Sequence, residues 1–195
     1  MWEIIVFLAT VLALILILRK LPVDLTGATN GNGKGGKHDE EGDKEKTLRE
    51  QADEYFEKGE LKRAEHLYLK ILAKEPDDAT LYNKLGLIYL QDKNFKDAKS
   101  ALKQALKLEP ENDTFYNNIG LLYYQMEDYD EAIDAYEKSI AINDKIPSRL
   151  VNLGLAYFMT KKYRKAADNY EKALILDPRS EQTKELLKQA EEKLK

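Results

Sequence analysis

Gly31-Asn32-Gly33-Lys34-Gly35-Gly36-Lys37 comes nearest in residue type to a known chemistry, because it matches G-x-G-x-x-G and most of G-x-x-x-x-G-K-[ST]. Such loops hold phosphate only when a strand leads in and a helix N-terminus follows, so that backbone N–H groups are aimed at the anion. Neither pattern flanks this stretch, and His38 stands where a magnesium-binding Ser or Thr belongs. It reads as flexible linker. The two histidines fare no better as proton carriers or metal ligands. His38 lies in that linker, and His66 lies on a charged helical face beside Glu65. Carboxylates alternate with lysines, as in Glu57-Lys58 and Glu137-Lys138, which is the pattern of a solvated face. No Ser–His–acid or metal-ligand spacing is present. The expectation is a chain with no catalytic residue, no metal and no cofactor, and so not an enzyme.

Composition narrows the partners. The 195 residues carry 31 basic and 35 acidic side chains, intermixed, for a net charge of −4. That balance argues for a solvated surface and against nucleic acid as a partner. The absence of cysteine excludes disulfides and thiolate metal sites.

The elements that would position any working surface come from a repeat. Residues 81–110 contain Gly86, Tyr89, Phe95, Ala98, Leu102, Ala105 and Pro110; a shift of 34 residues returns Gly120, Tyr123, Tyr129, Ala132, Tyr136 and Ser139. Another shift returns Gly154, Tyr157, Tyr163, Ala166, Tyr170, Ala173 and Pro178. One shift backwards gives Ala52, Tyr55, Leu61, Ala64, Tyr68, Ile71 and Pro76. Four ungapped frames follow: 45–78, 79–112, 113–146 and 147–180. Apolar spacing within a frame is helical, with one helix through Leu85, Gly86 and Tyr89 and a second through Ala98, Leu102 and Ala105. Short polar turns such as Asp92-Lys93-Asn94 join them. Each pair leaves an apolar flank that only a stacked neighbour covers. Thr47-Leu48-Arg49-Glu50 is a capping box at the start, and Ser180 caps a final helix in 181–195 with a polar outer face. Glycine inside a helix costs roughly 0.5–1 kcal/mol relative to alanine, so Gly86, Gly120 and Gly154 mark close helix crossings. Ala52 in the first frame suggests that alanine is tolerated there and a larger side chain is not.

On Leu85-Gly86-Leu87-Ile88-Tyr89, Ile119-Gly120-Leu121-Leu122-Tyr123 and Leu153-Gly154-Leu155-Ala156-Tyr157, the chain resembles the tetratricopeptide repeat family. It departs from the family pattern at Ala52 and at Asp144, where proline is usual. The resemblance implies an all-α fold: a right-handed α-solenoid of four helix pairs plus the solvating C-terminal helix. It also implies that the inner face of the first helices lines a ligand groove. That face holds Asn83, Lys84 and Leu87, then Asn117, Asn118, Leu121 and Tyr124, then Asn152, Leu155 and Phe158, with Val151 and Leu90 beside them and Arg49, Asp53 and Phe56 extending it into the first frame. Asparagine carries donors and an acceptor, which suits the backbone of an extended peptide, while Leu, Tyr and Phe would take alternate side chains. The competing reading is that these leucines only pack helix on helix. The Lys/Asn set with which some family members clamp a C-terminal carboxylate is missing in either register, so chaperone docking is disfavoured.

The N-terminus differs in kind. Residues 2–18 are apolar apart from Glu3 and Thr10, and at 17 residues they reach the short end of the roughly 17–25 a membrane helix needs. Glu3 precedes the run and Arg19-Lys20 follow it, the inverse of a cleaved signal peptide. The expectation is a transmembrane helix with the N-terminus outside and cytoplasmic repeats, a single-pass membrane protein. Residues 19–44, rich in Gly, Asn, Lys and Asp, read as a linker whose residues 21–44 span roughly 25–30 Å. The functional expectation is a membrane-anchored adaptor or scaffold that binds a protein or peptide in the groove. The alternatives are a homo-oligomeric structural subunit stacking through its solenoid edges at the membrane, and an exported assembly factor.

Overall fold

The structure, a computed structural model, describes residues 47–195. The described residues contain nine helices and no strand: α1 (Leu48–Glu57), α2 (Leu61–Leu72), α3 (Ala79–Gln91), α4 (Phe95–Leu108), α5 (Asp113–Gln125), α6 (Tyr129–Ile142), α7 (Pro147–Met159), α8 (Tyr163–Leu176) and α9 (Glu181–Glu192). They form an all-helical solenoid of tetratricopeptide-like pairs, α1 with α2 through α7 with α8, and α9 packs against α8.

Local chemistry sets the helix ends. Thr47 and Glu50 exchange side-chain and backbone hydrogen bonds at the start of α1, the capping box expected there. Asp78, Asn94, Asn112 and Ser180 accept from backbone N–H groups at the starts of α3, α4, α5 and α9. Pro147 opens α7, where a missing N–H costs nothing. Between the helices of each pair, one residue adopts left-handed backbone: Gly59, Lys93, Glu127 and Lys161, at φ of 73°, 57°, 64° and 60°. The next N–H then reaches back to a tyrosine carbonyl, as in Glu60 to Tyr55 at 2.8 Å and Lys162 to Tyr157 at 2.9 Å. This closes the helix C-terminus in a Schellman arrangement. Only Gly59 adopts that φ without a Cβ penalty.

Inside each pair a large side chain of the second helix lies under the first. Tyr68, Leu102, Tyr136 and Tyr170 are all fully buried. A Cβ built on Gly120 would lie 2.5 Å from Tyr136 Cε1, and one on Gly86 would lie 2.5 Å from Leu102 Cγ. The expected tolerance of alanine here is therefore corrected. The methyl group alone would overlap the buried Tyr136 ring or the Leu102 side chain, so a buried neighbour must shift to admit it.

Among the described residues, no helix is long and apolar enough to cross a membrane. Each runs 10–14 residues, and spanning needs about 20 predominantly apolar ones. The expected placement as a single-pass membrane protein is corrected on that finding. The apolar 2–18 stretch and the 19–44 linker lie outside the described residues.

Candidate functional site

The face shared by α3, α5 and α7 brings four of the expected residues into one hydrogen-bonded row. Asn118 Nδ2 donates to Asn83 Oδ1 at 2.8 Å, Asn117 Nδ2 to Asn118 Oδ1 at 3.4 Å, and Asn152 Nδ2 to Asn117 Oδ1 at 3.1 Å. These contacts span three repeats, because the sixth position of each frame stacks beside the fifth position of the frame before it. Asn118 is 8% exposed and Asn83 is buried with it. Both therefore belong to the packing between repeats as well as to the face. An Asn118→Ala change would therefore disturb the packing between repeats, because it removes the central rung.

Flanking the row, Leu87, Leu121 and Leu155 are half-buried at equivalent positions, while Leu90 is fully committed to the core. Tyr124 and Phe158 are half-buried, and each meets edge-on the tyrosine that opens the following helix. Tyr124 to Tyr129 is 5.4 Å between ring centroids, and Phe158 to Tyr163 is 5.2 Å. Burial pushes the phenols of Tyr124, Tyr136 and Tyr170 above their ordinary range, and the Tyr124 hydroxyl adds to the shift of the other two. The three phenols thus share one neutral neighbourhood. Among the described residues, the Tyr170 hydroxyl is the buried side-chain group with no hydrogen-bond partner.

The first-repeat end of the face is charged and self-satisfied. Lys84 Nζ lies 2.6 Å from Asp53 Oδ1, which also accepts from the Tyr68 hydroxyl at 2.8 Å. Burial opposes charge on Asp53, yet the hydrogen bonds from Lys84 and Tyr68 outweigh it and hold its carboxyl below the usual value. Arg49 is paired with Asp78. Neither cation stands unpaired to receive a ligand carboxylate.

Sequence reasoning missed Arg149. It is buried, ion-paired with Asp113, and donates to Thr114 Oγ1 at 3.2 Å. Asn143 Nδ2 donates to the same carboxylate at 3.1 Å, and Ser139 Oγ donates to the Asp113 carbonyl at 2.7 Å. Burial pushes the Arg149 pKa down. A signal existed in the repeat: the equivalent positions of the second and third frames hold Leu81 and Phe115, both buried. A cation in an apolar column announces a paired, structural charge. His66 is exposed, as expected. Among the described residues, no group of three or more acidic or histidine side chains is placed to hold a metal.

Residues 113–178 match the family model described as tetratricopeptide repeat, and residues 57–139 match the one described as anaphase-promoting complex, cyclosome, subunit 3. No curated protein matches the chain. Among solved structures, a crystal structure of MamA protein is 26% identical over 75% of this chain and 80% of that one, with a TM-score of 0.68. The pilF protein of Pseudomonas aeruginosa is 23% identical over 75% and 67%, with a TM-score of 0.69. The first repeat domain of Spaghetti (RPAP3), solved with the HSP90 peptide SRMEEVD, is 20% identical over 60% and 92%, with a TM-score of 0.58. The family matches and these structures together support the tetratricopeptide repeat family for the repeat region. Members of that family are generally protein–protein interaction modules without catalytic activity.

Proposed function

We propose that the face of α3, α5 and α7 binds an extended, uncharged internal segment of a partner protein, and that the chain works as an adaptor rather than a catalyst. The observation that carries this reading is the asparagine row between half-buried leucines. The row uses one N–H each of Asn117, Asn118 and Asn152. Each amide carries two. The remaining N–H groups and the Asn152 carbonyl offer a peptide backbone alternating donors and acceptors, and Leu121, Leu155, Tyr124 and Phe158 offer apolar contact for its side chains. The internal pairing of Arg49 and Lys84 argues against a terminal carboxylate as the anchor. The Spaghetti domain was solved with a peptide, a charged one, which supports peptide binding by this fold in general and not the uncharged ligand proposed here.

The test is site-specific photocrosslinking in the full chain. A photoreactive residue at Leu155 or Leu121 is expected to capture a partner segment, identified by mass spectrometry. The same residue at Lys103 or Lys138, on exposed second-helix positions, is expected to capture none. Capture from the second-helix positions alone would sink the proposal.

A further inference from the structure

Away from the asparagine row, a cleft of about 700 Å³ opens between α6, α7 and α8. Its floor is apolar, with Ile140, Leu150, Leu153 and Tyr157, and Ile175 and Leu176 line it from the last turn of α8. Ile175 is 77% exposed and Leu176 is exposed beside it. Single exposed apolar residues are ordinary. A cluster of them continuous with an apolar cleft is the composition of an interface core.

The walls differ in sign. On the α6 side stand Glu137 and, beyond the helix, Asp144, with exposed Asp134 one turn before Glu137; on the α8 side stand Lys165 and Lys172, with Asp168 between them. Two of these are fixed in place. Glu137 accepts from the Tyr157 hydroxyl, and Lys165 lies over the Tyr157 ring at 5.1 Å. An apolar lip beside an apolar hole, between a mainly acidic wall and a mainly basic one, complements itself under a two-fold rotation. A surface that matches its own copy in this way forms an isologous contact.

We infer that this cleft is a self-association surface. A second copy of the chain docks about a two-fold axis, with Ile175 and Leu176 of each copy in the cleft of the other. The α8 lysines of each copy then lie over the acidic α6 wall of its partner. This does not depend on the groove reading, because the two surfaces use different residues.

Sedimentation equilibrium of the full chain tests it. The parent is expected to dimerise with concentration, and Ile175→Glu to weaken the dimer roughly tenfold or more, as loss of a central anchor does. Ile175→Ala is the milder second variant, and circular dichroism checks that each variant remains helical. Two charge variants make the test specific. Lys165→Glu with Lys172→Glu sets acid against acid in a homodimer, and Asp134→Lys with Asp144→Lys sets base against base. Each alone is expected to be monomeric, and an equimolar mixture to associate, because both contacts of the mixed dimer regain opposite signs. A parent that stays monomeric up to its solubility limit overturns the inference. So does association indifferent to Ile175, or a mixture that fails to restore it.

Discussion

Among the described residues an arginine pairs with an aspartate at the end of the first repeat and again between the third and fourth repeats, and the two ends of the solenoid treat that pair differently. At the first repeat, the Arg49 side chain is 43% exposed beside Asp78. Between the third and fourth repeats, the Arg149 side chain is 6% exposed beside Asp113, whose other contacts come from Asn143 and, through its carbonyl, Ser139. The tyrosines under the first helices divide in the same way. Tyr68 donates to Asp53, which is itself held by Lys84. Tyr170, at the equivalent position, lies against Gly154 with its hydroxyl unpartnered, and Leu155 stands in the register of Asp53. One scaffold thus presents a charged, self-satisfied end and a neutral end of amide and apolar groups. A ligand at the first would have to displace existing ion pairs, whereas the second holds spare amide hydrogens, which is why the proposed site lies on the second to fourth repeats.

The sharpest way to break this contrast is to remove each arginine. Arg149→Ala leaves Asp113 largely buried without its counter-charge and is expected to cost about 3 kcal/mol or more in urea unfolding. Arg49→Ala removes a half-exposed arginine, leaves Asp78 its hydrogen bond from the Leu81 N–H, and is expected to cost less than about 1 kcal/mol. Similar losses at the two sites would show that burial does not separate them.

Helix approach comes next. Gly120→Ala places a methyl group against the Tyr136 ring and is expected to destabilise by about 1–3 kcal/mol despite the better helix propensity of alanine. Ala52→Gly relieves no clash and is expected to cost roughly 0.5–1 kcal/mol through propensity alone. A Gly120→Ala variant as stable as the parent would mean that the third pair opens as readily as the first.

A smaller effect separates the tyrosines. Tyr68→Phe removes a hydrogen bond to a charged acceptor and is expected to cost about 1–2 kcal/mol. Tyr170→Phe removes a buried hydroxyl that has no partner and is expected to be neutral or mildly stabilising. Thermal melts of the two variants compare them directly.

The smallest expected effect is in pH. The folded-state pKa of Asp53 lies below its ordinary value of 3.8. Its contribution to stability is therefore complete above about pH 4 and is lost as pH falls through the folded value. Asp53→Asn is expected to shallow the stability loss below pH 4 while leaving the slope near neutrality unchanged. The site is part-exposed, so solvent screening keeps the effect modest.

Much of the fold was legible because it is local. The spacing of Gly120, Tyr123, Tyr129, Ala132 and Tyr136 gives the helical period, its recurrence gives the stack, and Thr47, Ser180 and Pro147 announce helix starts through their own capping chemistry. The face holding Asn83, Asn117, Asn118 and Asn152 followed from the same period. The placement across a membrane was read from residues 2–18 and finds no spanning helix among the described residues.

What the sequence by itself determined, then, is the set of helices, their pairing and which face each first helix turns toward its neighbours. Periodicity, caps and turns act within a few residues of one another, so the order of residues states them directly. The tertiary structure alone decided which polar side chains are spent on one another. Asn118 meets Asn83 across 35 residues, Arg149 meets Asp113 across 36, and Lys84 meets Asp53 across 31. Each of those choices is a competition between solvent and a partner one repeat away. The stacking of one repeat on the next, which brings those partners within reach, settles it.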